Sequence, residues 1–169
     1  MGFFDYIAPR KGLGPVVGLV LLCCQLIGVR EASGQIAVVV NKGNEIKSVT
    51  LQSLQDIYAR NKVSWRNNHK IFPVSMKSKL EVTQSFFEKA LGKTPREIKR
   101  AWIRLTLSGA SAPPKVVGSE AEVLLYVAKN EGAIGFVGVD KVNDSVKVLA
   151  VQGKLPSEKG YLLKSVQQR

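Results

Sequence analysis

The stretch "SEAEVLLYVAKNEGAIGFVG", Ser119–Gly138, decides the fold class of this chain. Ser119 followed three residues later by Glu122 has the form of a capping box, in which each side chain satisfies a free N–H at a helix start. The helix "EAEVLLYVAKN" follows. Gly132 is suited to a left-handed helix stop, and Gly135 to close backbone approach inside the strand "EGAIGFVG". A helix of three turns running directly into a β-branched, glycine-flanked strand is the basic unit of an α/β protein.

Working outward, the same alternation recurs. "IAVVV", residues 36–40, reads as a buried strand closed by the turn "NKGN". In "SVTLQSLQDIYARN" Leu51, Leu54, Ile57 and Tyr58 share one helical stripe and Thr50 is placed to cap it. "KVSWRNNHKIFPV" is a loop with Asn-Asn turn residues leading to a second strand at Ile71–Val74. "SMKSKLEVTQSFF", Ser75–Phe87, passes from a lysine-bearing loop into a helix whose buried side is Val82, Phe86, Phe87, Ala90 and Leu91 and which stops at Gly92. In "TPREIKRAWIRLTLSG" Thr94 caps, Pro95 takes the first helical position and Glu97 completes a capping box. Ile98, Ala101, Trp102 and Leu105 mark its inner face. Pro113-Pro114 forbids helix between Ser108 and Ser119, and "SVKVLAV" supplies a last strand. The expected fold is an α/β three-layer sandwich with a mixed sheet.

Residues 1–34 read as a signal peptide: Arg10 and Lys11, an apolar run from about Leu13 to Val29, then small residues at Ala32–Gly34 with cleavage after Gly34. The other readings of this segment are an uncleaved anchor and, through Cys23 or Cys24, a lipoprotein. Residues 35–169 form the expected domain, with no membrane span. Both cysteines fall in the leader, so the mature part has no disulfide, thiol nucleophile or Cys-ligated metal available to it. The chain carries a formal charge of +12. The leader has three basic residues against two acidic, which leaves +11 on the mature part. Such a surplus attracts anions, from oxyanions to polyanions and acidic proteins, while its scattered distribution also suits a solvated basic surface.

Catalytic chemistry is thinly supplied. His69 is the single histidine and sits in a turn; no metal-ligand spacing, nucleophile elbow or phosphate-cradling glycine loop occurs. Asn143-Asp144-Ser145 matches a glycosylation sequon and reads as a turn. Aromatic residues are not interleaved with Lys and Arg as a base-stacking platform requires, so no specific nucleic-acid partner is expected. The expectation is a protein that is not an enzyme and uses no cofactor.

The ordered segments "IAVVVNKGN", "SLQDIYARNKVSW", "KIFPV", "FFEKALG", "AWIRLTLSG", "PPKVVGSEAEVLLYVAKNEGAIGFVG" and "VKVLAVQGKLPSEKGYLL" resemble the phosphate-type substrate-binding proteins of ABC importers, two-lobed type 2 periplasmic binding proteins. The resemblance implies a short, single-lobe member, periplasmic or secreted, that binds an inorganic oxyanion such as phosphate and serves an ABC permease. A homodimer would supply a second wall. In the family an Arg, three residues on, precedes Ser-Gly-Thr at the phosphate. Aligned on Phe86, those positions are Met76, Leu80, Glu81 and Val82 here. The expected anion seat is therefore Lys77, Ser78, Lys79 and Thr83, with Glu81 facing the helix dipole. The runner-up reading is an envelope interaction module that docks a polyanion or acidic partner through its basic surface.

Overall fold

The computed structural model describes residues 34–164. The leader read as a signal peptide, with Cys23 and Cys24, lies outside the described residues.

Strand β1 (Ile36–Asn41) is central because its side chains are apolar on both faces, so both must be covered. It pairs antiparallel with β5 (Ala133–Gly138) on one side and β6 (Val146–Val151) on the other, with Val38 opposite both Phe136 and Leu149. β3 (Phe72–Met76) runs parallel to β5 and to β4 (Lys115–Val117), and β2 (Ser48–Val49) runs parallel to β6. The mixed six-stranded sheet has the order β2-β6-β1-β5-β3-β4.

Side chains alternate across a strand, so neighbouring residues of β5 report on opposite faces of the sheet. A Cβ at Gly135 would meet Val123 and Val127 of α4 (Glu120–Lys129), which therefore covers one face. Phe136 points the other way and stacks on Phe86 of α2 (Glu81–Leu91), ring centroids 3.9 Å apart and 9° from parallel. Tyr58 of α1 (Leu51–Tyr58) meets the edge of Phe86 at 5.2 Å, and Trp102 of α3 (Pro95–Ser108) meets Phe87 at 5.8 Å. Three helices thus share the face opposite α4, giving the expected three layers. Aromatic pairs of this kind add about 0.5–1.5 kcal/mol each beyond their burial. The Tyr58 hydroxyl donates to the Val74 carbonyl at 3.0 Å inside this cluster, and burial raises its pKa.

The caps follow the sequence closely. Thr50 accepts from the Ser53 N–H, Ser119 from Glu122, and Thr94 with Glu97 forms the complete capping box. Gly92 ends α2 in the left-handed conformation at φ 64°. Gly132 differs from expectation. α4 ends at Asn130 in extended backbone, and Gly132 is needed instead for space: a Cβ there would lie 1.9 Å from the Lys70 carbonyl oxygen.

Other boundaries move for identifiable reasons. The second strand begins at Phe72 and continues through Ser75 and Met76, because β4 lies alongside and bonds those residues. β4 itself falls in the stretch read as loop; Pro113-Pro114 forbids helix there but not a strand that starts at Lys115. β2 is two residues long and carries no periodicity. Along α3 only Ile98 is fully buried, while Ala101, Trp102 and Leu105 are half-buried, so this helix rides on the surface. After β6 the chain returns to β1: the Tyr161 hydroxyl donates to the Ile36 carbonyl at 2.7 Å, and the Ile36 N–H donates to the Leu163 carbonyl.

Candidate functional site

Because β3, β4 and β5 are mutually parallel, their C-terminal ends reach the same margin of the sheet. Such a margin is where α/β proteins hold ligands. β3 leads through Lys77–Leu80 into α2, and β4 leads through Gly118 and Ser119 into α4. Two helix N-termini, each with partial positive charge and unspent N–H groups, therefore open beside the end of β5. Between them lies a hollow of about 500 Å³, lined among others by Leu80, Glu81, Gly118, Glu120, Gly138 and Asp140.

The two helix mouths are treated differently. At α4 Ser119 caps the helix by accepting from the Glu122 N–H, and the protein's own acids hold two amides beside the mouth. The Gly118 N–H donates to the Glu122 carboxylate at 3.2 Å, the Ser119 hydroxyl donates to it at 3.1 Å, and the Gly138 N–H donates to Glu120. Asp140 pairs with Lys141 at 2.9 Å, a hydrogen bond that raises the Lys141 pKa. At α2 the N-cap is Leu80, whose side chain offers no cap. The helical ladder starts with the Thr83 and Gln84 N–H groups, both donating to the Leu80 carbonyl at 3.0 Å, so the Glu81 and Val82 amides stand ahead of it. Glu81 is exposed in this first turn.

The sequence-derived seat is spread over this region. Lys77, Ser78 and Lys79 form an exposed loop at the end of β3, anchored by the Lys77 N–H donating to the Val117 carbonyl at 3.2 Å and by Gln84 Nε2 donating to the Ser78 carbonyl. Lys77 and Ser78 line a second, apolar groove of about 400 Å³ beside α3, rather than the hollow between the helix mouths. Thr83 is fully buried on the same side of α2 as Phe86 and Phe87, and among the described residues its hydroxyl has no hydrogen-bond partner. The structure therefore does not bring the four residues together: Lys77 and Ser78 face the α3 groove, Lys79 is exposed in the loop and Thr83 lies in the core. His69 lies exposed in a turn, where its N–H donates to Asn67.

Sequence reasoning missed Glu120, Gly138 and the Asp140–Lys141 pair. Glu120 directly follows a recognisable cap, but nothing local connects it to an amide 18 residues away; only the β4-α4-β5 crossover does. Among the described residues no helix is long and apolar enough to cross a membrane.

No family model matches the chain, and neither does any curated protein. Solved structures do. An ABC-type phosphate transport receptor from Vibrio cholerae superposes with a TM-score of 0.63 at 23% identity, covering 78% of this chain and 53% of the receptor. PstS from Borrelia burgdorferi gives 0.62 at 17% identity, covering 78% of this chain and 54% of that protein. The chain spans about half the length of these proteins. At such identities the likeness is one of fold: this chain is built as phosphate ABC transporter substrate-binding proteins are, over half their extent.

Proposed function

We propose that this chain is a non-enzymatic, solute-binding-type protein that works outside the cytoplasm, after cleavage of its leader near Gly34, and holds an inorganic oxyanion such as phosphate weakly. The observation that carries this reading is the α2 mouth. A helix N-terminus without a side-chain cap opens at the ends of parallel strands, with Lys77 and Lys79 exposed in the loop before it. The anion sits against the amides of Glu81 and Val82, with the exposed Lys77–Lys79 loop beside it and Thr83 left in the core. The phosphate-transport names of the structural neighbours support the choice of anion.

Affinity is low for two physical reasons. The described residues supply one wall, and each charge-assisted hydrogen bond that a second wall would add is worth about 1.5–3 kcal/mol. Glu81, Glu120 and Asp140 also line the adjoining hollow and repel an anion. A second copy of the chain or an ABC permease completes the site. Titration of the purified protein with phosphate and sulfate tests this: saturable binding in roughly the millimolar range supports it, and no response at either anion refutes it.

A second reading is favoured by α3, whose exposed face carries Arg96, Lys99, Arg100 and Arg104. It is an envelope interaction module that docks an acidic partner or polyanion. Heparin binding that disappears at moderate salt supports it, and salt-independent retention argues against it.

A further inference from the structure

Helix α3 leaves apolar side chains uncovered. Ile103 is 47% exposed and Leu107, one turn on, is 81% exposed. Residues four apart share a helix face, so the two form one stripe. Beside it runs the groove of about 400 Å³, lined among others by Phe87, Trp102, Ile103, Pro114 and Val116. Val116 is itself half exposed on β4, the last strand of the sheet. Monomeric surfaces seldom leave a concave apolar face of this kind without a partner for it.

The charge around the groove says what kind of partner fits. Lys77 and Lys99 line it and no carboxylate does. Arg104 flanks the Ile103–Leu107 stripe in sequence and is exposed. Among the described residues none of these three cations has an ion-pair partner within 4 Å, and the nearest acid on the helix, Glu97, has its carboxylate taken by the Thr94 N–H and hydroxyl. A second copy of this chain would bring one cationic rim against another, which is repulsive. A flat lipid surface would reach Leu107, which is 81% exposed, but not the buried Phe87 that also lines the groove. A protein segment that carries apolar side chains between acidic ones satisfies both features.

We propose that the α3 groove docks an acidic, apolar-bearing segment of a partner protein, its apolar side chains entering between Trp102 and Val116 and its carboxylates meeting Lys77 and Lys99. The inference rests on the interaction-module reading; it shares Lys77 with the proposed oxyanion seat, while Lys99 and the apolar lining belong to the groove alone.

Selection of a phage-displayed random dodecapeptide library on the immobilised protein, in parallel with its Ile103→Glu and Lys99→Glu variants, tests it. Both positions are exposed, so both variants fold, as circular dichroism confirms before use. The expected result is enrichment of peptides combining Asp or Glu with Leu, Ile or Phe. Synthetic versions should bind roughly tenfold or more weakly to each variant, as loss of a central contact requires. No enrichment, enrichment indifferent to Ile103→Glu, or enrichment of basic peptides overturns the proposal. Retained salt-sensitive heparin binding in that event would leave the interaction-module reading standing, and its loss would remove both. Phosphatidylglycerol vesicles are run beside the peptides. Vesicle binding abolished by Ile103→Glu, without peptide enrichment, replaces the segment by a lipid surface and overturns the proposal as stated.

Discussion

The Glu120 carboxylate accepts a hydrogen bond from the Gly138 amide, tying the first turn of α4 to the end of β5. An amide at the end of a strand, beside two helix N-termini, is a donor that an anion would otherwise use. Here a carboxylate from the same chain holds it. The fold therefore presents a strand-end margin at which the Gly118 and Gly138 amides are already held by the chain's own acids.

Replacing Glu120 with Gln keeps the acceptor and removes the charge. Phosphate should then bind about fivefold more tightly, on the order of 1 kcal/mol for one like charge removed at partly solvated range. Folding stability should fall by about 0.3–1 kcal/mol, because an acid in the first turn favours the helix dipole. NMR titration measures the first and urea denaturation the second. Unchanged phosphate affinity would show that Glu120 and the anion do not meet.

Gly132→Ala and Gly135→Ala should both destabilise, for different reasons. At 132 the new Cβ collides with the Lys70 backbone oxygen at 1.9 Å, which no rotamer change can relieve. At 135 it presses on Val123 and Val74 side chains at 2.6 and 2.9 Å, between the sheet and α4. Overpacking of the second kind costs about 1–3 kcal/mol, and the first should exceed it. Equal or negligible losses in urea denaturation would contradict this account of the glycines.

Acid should loosen α3. The Glu97 carboxyl is held below its ordinary pKa, first by the Thr94 backbone N–H and then by the Thr94 hydroxyl. A depressed folded-state pKa means that the stabilisation is complete above the ordinary glutamate value and is lost as pH falls through the lowered one. Thr94→Ala should cost about 1 kcal/mol at neutral pH as a lost cap. Only the part of that difference supplied by the Thr94 hydroxyl donating to the carboxylate should vanish at acid pH; the part from the Glu97 N–H donating to the hydroxyl should persist. A difference that holds constant with pH would rule out a contribution from the hydroxyl–carboxylate bond.

Thr83→Val should stabilise the protein by about 1 kcal/mol, since a buried hydroxyl without a partner is replaced by a methyl of similar shape. Lower stability in the variant would mean that the hydroxyl has a partner in solution.

The layers and most helix ends were legible in the sequence because they depend on neighbours within a turn or two. Thr50, Thr94 and Ser119 cap where their spacing says, and Phe86 and Phe87 lie in the core. What escaped depends on distant chain. β4 and β2 exist because β3 and β6 lend them hydrogen bonds, and Gly132 answers to Lys70 rather than to its own helix. Of the candidate margin the sequence offered only the α2 loop, where Lys77–Lys79 are consecutive. The Glu120 carboxylate on the α4 side meets the Gly138 amide through a crossover that no local pattern encodes.

The most direct test is a phosphate titration of the isotope-labelled protein followed by amide resonances. Saturable shifts centred on Lys77–Val82, with a Kd of roughly a millimolar and loss in Lys77→Ala/Lys79→Ala, are the predicted result. A spectrum that does not move at about a hundred times that concentration, or that moves only elsewhere, would contradict an anion seat at the mouth of α2.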